Sequence, residues 1–569
     1  MKRVLLCYLL LLFGVQGVWA QSKTVTGRVT SSDEPEGIPG VNILIKGSGS
    51  GTTTDLDGGF SLEVGSNDAV LVFSFVGYTT KEERVGNRSE INVVLKSDLS
   101  ELGEVIVTAQ GIERDERSLG YAVQSIKGDM VSQKSEPNLL NSLQGKLTGV
   151  NIVGASGAPG ASTNINIRGI TSFTGSNQPL IVVDGIIFNN DTDNTQNTLF
   201  GSQPSNRLND IAPESIESVN VLKGPAASVL YGSRASAGAI VITTKSGAGL
   251  ENKTEVTVTS SVNVQNVYGL PKFQNQYGQG TQNDFNNTAT GSWGPAFGTP
   301  GFENVETSFG TTVPYQAYPN NIMDFYQQGR IIQNGVSIAS GDRDDNFIVA
   351  VNTSLQDGII PNSTFDRYNV QIGGNKKLNN GVKVGGNVTY VKSSSRNTLT
   401  GNGGSAFGQI TRIPRSFDLV GMPFQDDLGN SLFYNPTQNH PLWSLENEYL
   451  ESNVDRVFGN FTVGYDVSDW LNITYRVTAD TYTDRRKDIA RIGSARTPAG
   501  SIAEDMLYRS ELNGDLMITA SKSNFLAEGL DATLLLGQNL NQRNFQGIGV
   551  FGSALNVPFF DNVSSASVF

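Results

Sequence analysis

The sequence predicts a mainly β protein that comprises a small β-sandwich, an α+β domain and a partial transmembrane antiparallel β-barrel. Apolar and polar residues alternate at period two in the second half of the chain, as they do in strands that face lipid on one side and water on the other. No long apolar run occurs beyond the first twenty of the 569 residues, which excludes a bundle of membrane helices. Glycine is abundant, with 64 residues, as a protein with many tight turns requires.

Residues 1–20 have the composition of a secretory signal peptide. Lys2 and Arg3 supply the charged start, an apolar core covers residues 4–15, and Val-Trp-Ala at 18–20 is a suitable cleavage site. The alternative, an uncleaved anchor helix, is disfavoured because the apolar core is too short to span a bilayer. Cys7, the only cysteine, lies in this core. Its loss on cleavage would rule out disulfides and thiol catalysis.

Composition also narrows the classes of function. The net charge is −13 and the sequence pI is about 4.8, so phosphate backbones are repelled and nucleic acid is not an expected partner. His440 is the only histidine and falls in a predicted loop, which disfavours a histidine-based metal centre or catalytic triad. We therefore expect no cofactor, and the composition indicates no catalytic residue and no set of metal ligands.

Residues 22–97 are predicted to form the sandwich, because turn residues separate short β-prone runs there. The predicted strands are Thr24–Thr30, Val41–Lys46, Gly59–Val64, Val70–Val76 and Glu90–Lys96. Together with Ile-Pro-Gly-Val at 38–41 and Phe-Val-Gly-Tyr at 75–78, this segment resembles the carboxypeptidase-regulatory-like domain. That resemblance implies a transthyretin-like sandwich with an accessory role. The turn at 55–58 lacks the further ligands of a calcium loop, so a plain tight turn is favoured.

Residues 118–247 are predicted to form the α+β domain. Apolar residues at 139, 140, 143 and 147 follow a helical period, and alternating strands follow at 150–153 and 165–169. A buried strand at 180–185 ends in an Asp-Gly turn, and Pro213 opens a short helix at 211–217. A strand at 218–223 then leads through a Gly-Pro turn and a short Ala/Ser-rich helix to a second strand at 238–245.

This order of elements resembles the end of the plug domain in TonB-dependent outer-membrane transporters. The segments Leu143–Val150, Ile167–Gly169 and Val183–Gly185 resemble the SusC-like (RagA/SusC) branch of that family in particular. The resemblance assigns to the plug motif Arg168, Gly169, Asp184, Gly185, Lys223, Gly224, Pro225, Tyr231 and Gly232. A phosphate-binding loop at 223–225 is disfavoured, because no Lys-Ser/Thr pair follows Gly232.

Two charged features of the plug have alternative interpretations. Arg168 is expected to tether the plug to carboxylates of the barrel wall, in preference to contacting substrate, since a guanidinium binds carboxylates in a fixed geometry. The acidic run at 191–194 could coordinate an ion, but a solvated loop is the favoured interpretation.

Residues 98–117 are predicted to be a linker. It contains a short β-prone run that resembles a TonB box, the peptide that adds as a strand to the energy-transducing protein. The box comprises Glu104, Val105, Ile106, Val107, Thr108 and Ala109. The alternative is an ordinary linker strand, which the position directly ahead of a plug disfavours.

Residues 250–569 are predicted to form the barrel. One face of the strand at 457–467 is apolar and the other mostly polar, and the pattern returns at 471–480 after a short turn. Strands at 367–378 and 382–392 are joined across an Asn-Gly pair. We expect roughly nine or ten strands of ~10 residues and external loops at about 269–329 and 393–453. Because the resembled family closes a barrel of roughly 22 strands, an incomplete barrel is expected.

The resemblance implies an importer of oligosaccharides or peptides that is not an enzyme and that works with a SusD-like surface lipoprotein and the TonB–ExbB–ExbD complex. The barrel would lie in lipid of a Gram-negative outer membrane, with the sandwich in the periplasm. Loop aromatics are candidates for substrate or lipoprotein contact, with loop packing as the alternative: Trp293, Phe297, Tyr315, Tyr318 and Trp443. Rival hypotheses are a siderophore or cobalamin receptor, which the strand-only N-terminal region disfavours, and a secreted adhesin without a plug.

Overall fold

A computed structural model describes residues 23–31, 37–46, 50–75, 78–96, 105–107, 113–115, 123–133, 136–195, 201–250, 253–401, 405–527 and 530–569. The predicted signal peptide lies outside these residues. The chain divides into two compact units, one of residues 1–106 with 113–120 and one of residues 107–112 with 121–569.

The first unit contains the predicted sandwich. Its strands are β1 (Lys23–Ser31), β2 (Asn42–Ile45), β3 (Gly51–Thr53), β4 (Gly59–Val64), β5 (Val70–Ser74), β6 (Lys81–Arg84) and β7 (Val93–Leu95). They form two sheets, β4-β1-β7 and β3-β2-β5-β6. Alternate residues such as Val25, Val29, Ile43 and Phe73 are buried between them. Strands β3 and β6 were not predicted, because they are short and have few apolar residues.

The Asp55 turn and the predicted TonB box can be compared with the structure. The Asp55 turn is closed by its own backbone, because Oδ1 of Asp55 accepts hydrogen bonds from the amides of Asp57 (3.0 Å) and Gly59 (2.7 Å). Strands β8 (Val105–Val107) and β9 (Glu113–Asp115) pair with each other as a two-stranded sheet. β8 coincides with the centre of the predicted TonB box, whereas Glu104, Thr108 and Ala109 lie outside the described residues.

The α+β domain, called the plug below, has a five-stranded sheet in the order β10-β15-β16-β13-β14 and a separate β11-β12 hairpin. Its strands are β10 (Val123–Lys127), β11 (Val150–Gly154), β12 (Thr163–Ile167), β13 (Leu180–Val183), β14 (Ile186–Phe188), β15 (Ile216–Leu222) and β16 (Ala239–Thr244). Its helices are α1 (Gly128–Ser132), α2 (Leu139–Leu143) and α3 (Pro225–Tyr231), with 3₁₀ turns at Arg207–Asp210, Pro213–Ser215 and Ser233–Ala235.

The four leucines that predicted a helix over 139–147 are all buried in the plug core. The helix itself ends at Leu143, because Gly145 takes a positive φ of 76° that breaks the helical path. The predicted Asp-Gly turn after β13 is present, with φ of 47° at Asp184 and 80° at Gly185.

Ten strands form one consecutive antiparallel sheet, called the wall below. They are β17 (Lys253–Gln265), β20 (Gly329–Gly341), β21 (Asp345–Asp357), β22 (Thr364–Lys377), β23 (Val382–Thr398), β24 (Glu448–Ser468), β25 (Leu471–Ala490), β26 (Ser501–Lys522), β27 (Ala532–Leu555) and β28 (Ala566–Val568). A loop ribbon consists of β18 (Asn304–Glu306) and β19 (Thr312–Pro314). Short helices are α4 (Asn321–Phe325), α5 (Ala406–Ile410), α6 (Pro441–Asn447) and a 3₁₀ turn at Val563–Ser565.

The wall confirms the predicted alternation and the hairpin across Asn379–Gly381. Its strands are longer than expected, reaching 24 residues in β27, because they continue beyond the apolar band. Along β24 the apolar Val457, Phe461 and Val463 are exposed on one face, while Arg456 and Ser452 on the other are buried. Among the described residues, no helix is long and apolar enough to cross a membrane.

The two predicted external loops pack against each other. Residues of 270–326 and 406–445 share one apolar cluster that includes Phe325, Ile410, Phe417 and Leu445. The side chain of Arg415 joins the loops further, donating to the carbonyls of Gln274 (3.1 Å) and Tyr318 (3.2 Å). The loops therefore form a folded layer at one end of the wall. The predicted loop over 393–453 is shorter than expected, since its two ends belong to β23 and β24.

Candidate functional site

The contact between the plug and the inward face of the wall is centred on Arg456 of β24, which is fully buried. Its Nε and Nη2 donate to both oxygens of Asp480 on β25, at 2.8 and 2.6 Å. Its Nη1 donates to Asp210 of the plug at 3.1 Å, and Nη2 also donates to the Asn189 carbonyl at 3.1 Å. The guanidinium carbon lies 3.4 Å from the ring centre of Phe188. One wall cation thus binds two separate segments of the plug.

A second wall arginine, Arg367 of β22, is bound by plug carbonyls. Its Nη1 donates to the carbonyl oxygens of Pro137 (3.1 Å), Asn209 (2.8 Å) and Ile211 (3.1 Å). The neighbouring Asn369 donates to the Asp210 carbonyl at 2.7 Å. These bonds fix the 3₁₀ turn that carries Asp210 and so hold its carboxylate toward Arg456.

The Asp184–Gly185 turn gives a third contact. Asp184 accepts from the Thr244 amide (2.8 Å), the Thr244 hydroxyl (2.7 Å) and Asn387 of the wall (2.6 Å). Burial raises the pKa of Asp184 above its usual value, against the lowering effect of these hydrogen bonds. A Cβ on Gly185 would come within 2.9 Å of Nη1 of Arg476 on the wall. Glycine adopts this positive φ without strain, whereas a larger residue would also have to displace the Arg476 guanidinium.

The acidic run at 191–194 also meets the wall, so the expectation of a solvated loop was wrong for Asp193, whereas the Asp191 side chain remains exposed. Asp193 forms an ion pair with Arg509 of β26, and Asp191 approaches the same arginine at 3.3 Å. Arg486 of β25 donates to the Thr192 carbonyl at 2.9 Å. Nearby, Arg234 of the plug makes a bidentate pair with Glu511 of the wall, at 2.7 and 3.1 Å.

Arg168 does not have the role that the sequence analysis gave it. It follows the end of β12 with a φ of 58°, its side chain is exposed, and no ion pair to the wall is present for it in the described part of the chain. Its guanidinium instead lies against the Gly224 turn, 3.3 Å from where a Cβ of that glycine would be. In most contacts between the two parts the cation belongs to the wall and the acceptor to the plug, which is the reverse of the predicted arrangement.

The remaining plug-motif residues build a turn and a helix. Lys223 donates to Gln124 of β10 at 2.9 Å, which links the end of β15 to its neighbour in the sheet. Gly224 has a φ of 74°, Pro225 opens α3, and Gly232, with the same φ, ends it. Gly169 has a φ of 90° beside Arg168, and Tyr231 packs at the edge of a second apolar cluster. These residues shape the plug and do not converge on one chemical centre.

A polar pocket of about 340 Å³ lies on the plug surface. It is lined by Asn164, Gln178, Asn190, Asn194, Gln203 and Asn206 together with Asp191 and small residues. Gln178 donates to Asn164 at 2.8 Å, and Asn206 donates to the Thr163 carbonyl at 3.0 Å, so the amides are held in fixed orientations. Ser202, beside the pocket, donates to the Thr398 carbonyl at 3.0 Å, where β23 enters the long loop. The pocket therefore lies on the long-loop side of the plug.

The loop aromatics divide into buried and accessible groups. Trp443 is fully buried and donates from Nε1 to the Gly429 carbonyl at 2.8 Å. Tyr315 is buried and donates to the Pro295 carbonyl at 2.9 Å, and Phe297 packs on it with ring centres 5.2 Å apart. For Trp443 and Tyr315 the predicted substrate contact is therefore wrong, because they are core residues of the loop layer. Trp293 is 65% exposed, and Tyr318 is half-buried.

His440 is likewise a structural residue. Its Nδ1 accepts from the Leu442 amide at 3.2 Å and so caps the start of α6. Burial lowers the pKa of this imidazole to about 3, so it is neutral at physiological pH.

Comparison with known proteins identifies both N-terminal modules. Residues 115–239 match the TonB-dependent Receptor Plug Domain, and residues 25–107 match the CarboxypepD_reg-like domain. The chain is 30% identical over 512 residues to TonB-dependent receptor P26 of Formosa agariphila, covering 86% of this chain and 48% of that protein. It is 30% identical over 485 residues to TonB-dependent receptor SusC of Bacteroides thetaiotaomicron, covering 82% and 45%. The chain thus spans about half the length of these curated relatives.

A solved structure shares the fold. The RagAB peptide importer in its open-open state superposes with a TM-score of 0.64 at 18% identity, over 82% of this chain and 52% of that one. Its closed-closed state gives a TM-score of 0.61 over 79% and 51%.

Proposed function

Because this chain belongs to the SusC-like TonB-dependent receptors, we propose that the protein imports oligosaccharides or peptides across the outer membrane with a SusD-like surface lipoprotein. The TonB–ExbB–ExbD complex supplies the energy, and the protein makes and breaks no bond of its cargo. The observation that carries this proposal is a plug bound to the polar inner face of a wall, with the Arg456 ion pairs at the centre of the contact.

The energy-coupling step follows from the order of strands in the plug. The box at 104–109 precedes β10, which is an edge strand of the five-stranded sheet and pairs only with β15 there. A pull on the box therefore loads a strand with one neighbour. The contacts of Asp193, Asp210 and Arg234 with the wall lie later in the chain. In this proposal the force detaches the first part of the plug while the later part stays bound, and the sandwich lies in the periplasm.

The amide-lined pocket is the proposed cargo contact. Amides donate and accept hydrogen bonds, so they suit both the hydroxyls of a sugar and the backbone of a peptide. Of the described residues that line the pocket, only Asp191 is charged, and it lies 3.3 Å from Arg509. A neutral pocket of this kind favours uncharged polar cargo over ionic ligands.

The folded loop layer is the proposed surface for the lipoprotein. Arg415 and the apolar cluster around Phe417 hold the two loops together, so the layer presents a fixed surface. Trp293, exposed and stacked near Tyr277 with ring centres 5.8 Å apart, is the aromatic best placed for such a contact.

A proline in the box tests the energy source. Ile106→Pro removes a backbone donor that strand addition needs, and Ile106→Thr keeps a β-branched residue and the donor. In a strain deleted for the gene, we expect growth on the cognate glycan or protein to be restored by Ile106→Thr and lost with Ile106→Pro. Equal growth of both variants would contradict TonB-driven import through this box.

The cargo class is tested by growing the deletion strain on a panel of purified glycans and protein digests as sole carbon source. We expect a defect on one glycan or on peptides. The alternative function, a siderophore or cobalamin receptor, predicts a defect that appears only under iron or cobalamin limitation. The strand-only sandwich at the N-terminus favours the first outcome.

A further inference from the structure

The outward face of the wall carries an apolar band with charged residues at both ends. Phe347, Ile372, Val388 and Phe461 are between 48% and 59% exposed on this face although they are apolar. Toward the long loops the band ends where Tyr390 donates to Asp455 at 2.8 Å. Toward the short turns it ends at the ion pair between Lys376 and Asp345. Such a band is the lipid-facing surface of a membrane wall.

A recess of about 810 Å³ interrupts this band close to the short-turn end. Its floor is formed by Gly374 and Gly386, which are direct partners on β22 and β23. Phe347 pairs with Gly374 on one side, and Phe461 pairs with Gly386 on the other. Because strands lie about 4.8 Å apart, two missing side chains leave a gap of roughly 10 Å between the two rings.

The glycines cannot be replaced without moving the backbone. A Cβ on Gly374 would lie 2.5 Å from the Asn346 carbonyl oxygen, and one on Gly386 would lie 2.3 Å from that of Asn460. The local strand geometry thus keeps the floor free of side chains. The recess is a built feature of the sheet and persists whatever packs around it.

Lys376 and Asp345 lie at the mouth of the recess. On the outward face they form the next residue pair after Phe347 and Gly374 in the direction of the short turns. They are partners on neighbouring strands and both remain more than half exposed. An ammonium beside a carboxylate complements a headgroup that has a phosphate next to a primary amine. The apolar recess directly above them suits the first methylenes of an acyl chain.

We propose that this recess binds one phospholipid with a zwitterionic, primary-amine headgroup, phosphatidylethanolamine, with its phosphate on Lys376, its amine on Asp345 and an acyl chain between Phe347 and Phe461. The inference rests on the wall crossing a bilayer and not on the identity of the cargo. The assay below measures lipid and not transport, so its failure would leave the proposed import untouched.

The test is native mass spectrometry of the protein extracted from membranes in mild detergent and titrated with phosphatidylethanolamine or phosphatidylglycerol. We expect one tightly held phosphatidylethanolamine, bound about fivefold more tightly than phosphatidylglycerol, as one favourable charge contact provides. Asp345→Asn should abolish this preference, and Lys376→Gln should weaken both lipids. Phe461→Ala should weaken both lipids about equally.

Two matched controls lie outside the recess on the same outward face. Lys392→Gln and Tyr368→Ala change a lysine and an aromatic at the long-loop end of the band and should leave binding unchanged. The proposal would be overturned if the controls lost as much lipid affinity as the recess variants, or if Phe461→Ala bound both lipids as tightly as the unmodified protein. The same holds if the unmodified protein showed no preference between the two headgroups. So would a dimer of the protein that dissociates with Phe461→Ala, since a second copy would then occupy the recess.

Discussion

Truncation of Arg456 is the sharpest test of how the plug is held. Arg456→Ala removes four hydrogen bonds and leaves the carboxylates of Asp210 and Asp480 buried without their shared cation. Among the described residues, the cation nearest to Asp210 would then be Arg207, at 3.9 Å. Removing one partner from a buried ion pair costs about 3–5 kcal/mol. Since each 1.4 kcal/mol is a factor of ten, plug docking should weaken roughly 10²- to 10⁴-fold.

The loss is measured by hydrogen exchange of residues 189–195 and 201–214 in the protein in membranes or mild detergent, together with sensitivity of cells to vancomycin. We expect faster exchange in this segment and a greater leak. Arg485→Ala is the matched control, because Arg485 pairs with Asp455 on the exposed outward face. A neutral triple variant, Arg456→Met with Asp210→Asn and Asp480→Asn, should recover most of the docking. Unchanged exchange in Arg456→Ala would refute the role of Arg456 in docking the plug.

Three other perturbations give separate checks. Gly185→Ala should lower the thermal midpoint by an amount equivalent to about 1–2 kcal/mol, because it combines a φ of 80° with a Cβ 2.9 Å from Arg476; an unchanged midpoint would contradict this. Asp184 has a raised pKa, so the folded plug binds the proton more tightly than the unfolded chain does. The stability of the plug should therefore fall as pH rises from 3.8 through the folded pKa, and exchange of the Thr244 amide should become faster along with it. Asp184→Asn should remove this pH dependence. His440 has a pKa lowered to about 3, so the loop layer should lose a few kcal/mol of stability as pH falls from 6.5 toward 3. Tryptophan fluorescence measures this loss. His440→Asn retains a side-chain acceptor that caps the helix and should show no such loss.

Features that depend on neighbouring residues were predictable from the sequence. Period-two alternation located β24 and β25, and the Asn-Gly pair at 380–381 located the hairpin between β22 and β23. The Asp184–Gly185 turn was predictable for the same reason, since positive φ at two successive positions needs these residue types. The sandwich and plug were recognisable because their turns carry specific glycines.

The contact of Arg456 with the plug could not be located in this way. Arg456 is separated from Asp210 by 246 positions, and nothing in a local pattern pairs them. A weak signal was available, because extending the alternation of β24 one step back from Phe458 places Arg456 on the inward face. Trp443 was misassigned for a similar reason, since a loop sequence does not show that the loop has a core of its own.

The alternation of the wall has a consequence for how such a chain reaches its membrane. In β24 polar residues alternate with the apolar residues that will face lipid, so the mean hydropathy of the strand is low. The mean hydropathy of the whole chain is −0.21. An export channel selects helices for lateral release by summed hydrophobicity over about 20 residues. A strand of this kind stays below that threshold and is not released into the lipid. It gains its affinity for lipid only when strand pairing places its apolar and polar side chains on opposite faces. Because apolar and polar residues alternate along its strands, the chain can be secreted first and inserted into its membrane afterwards.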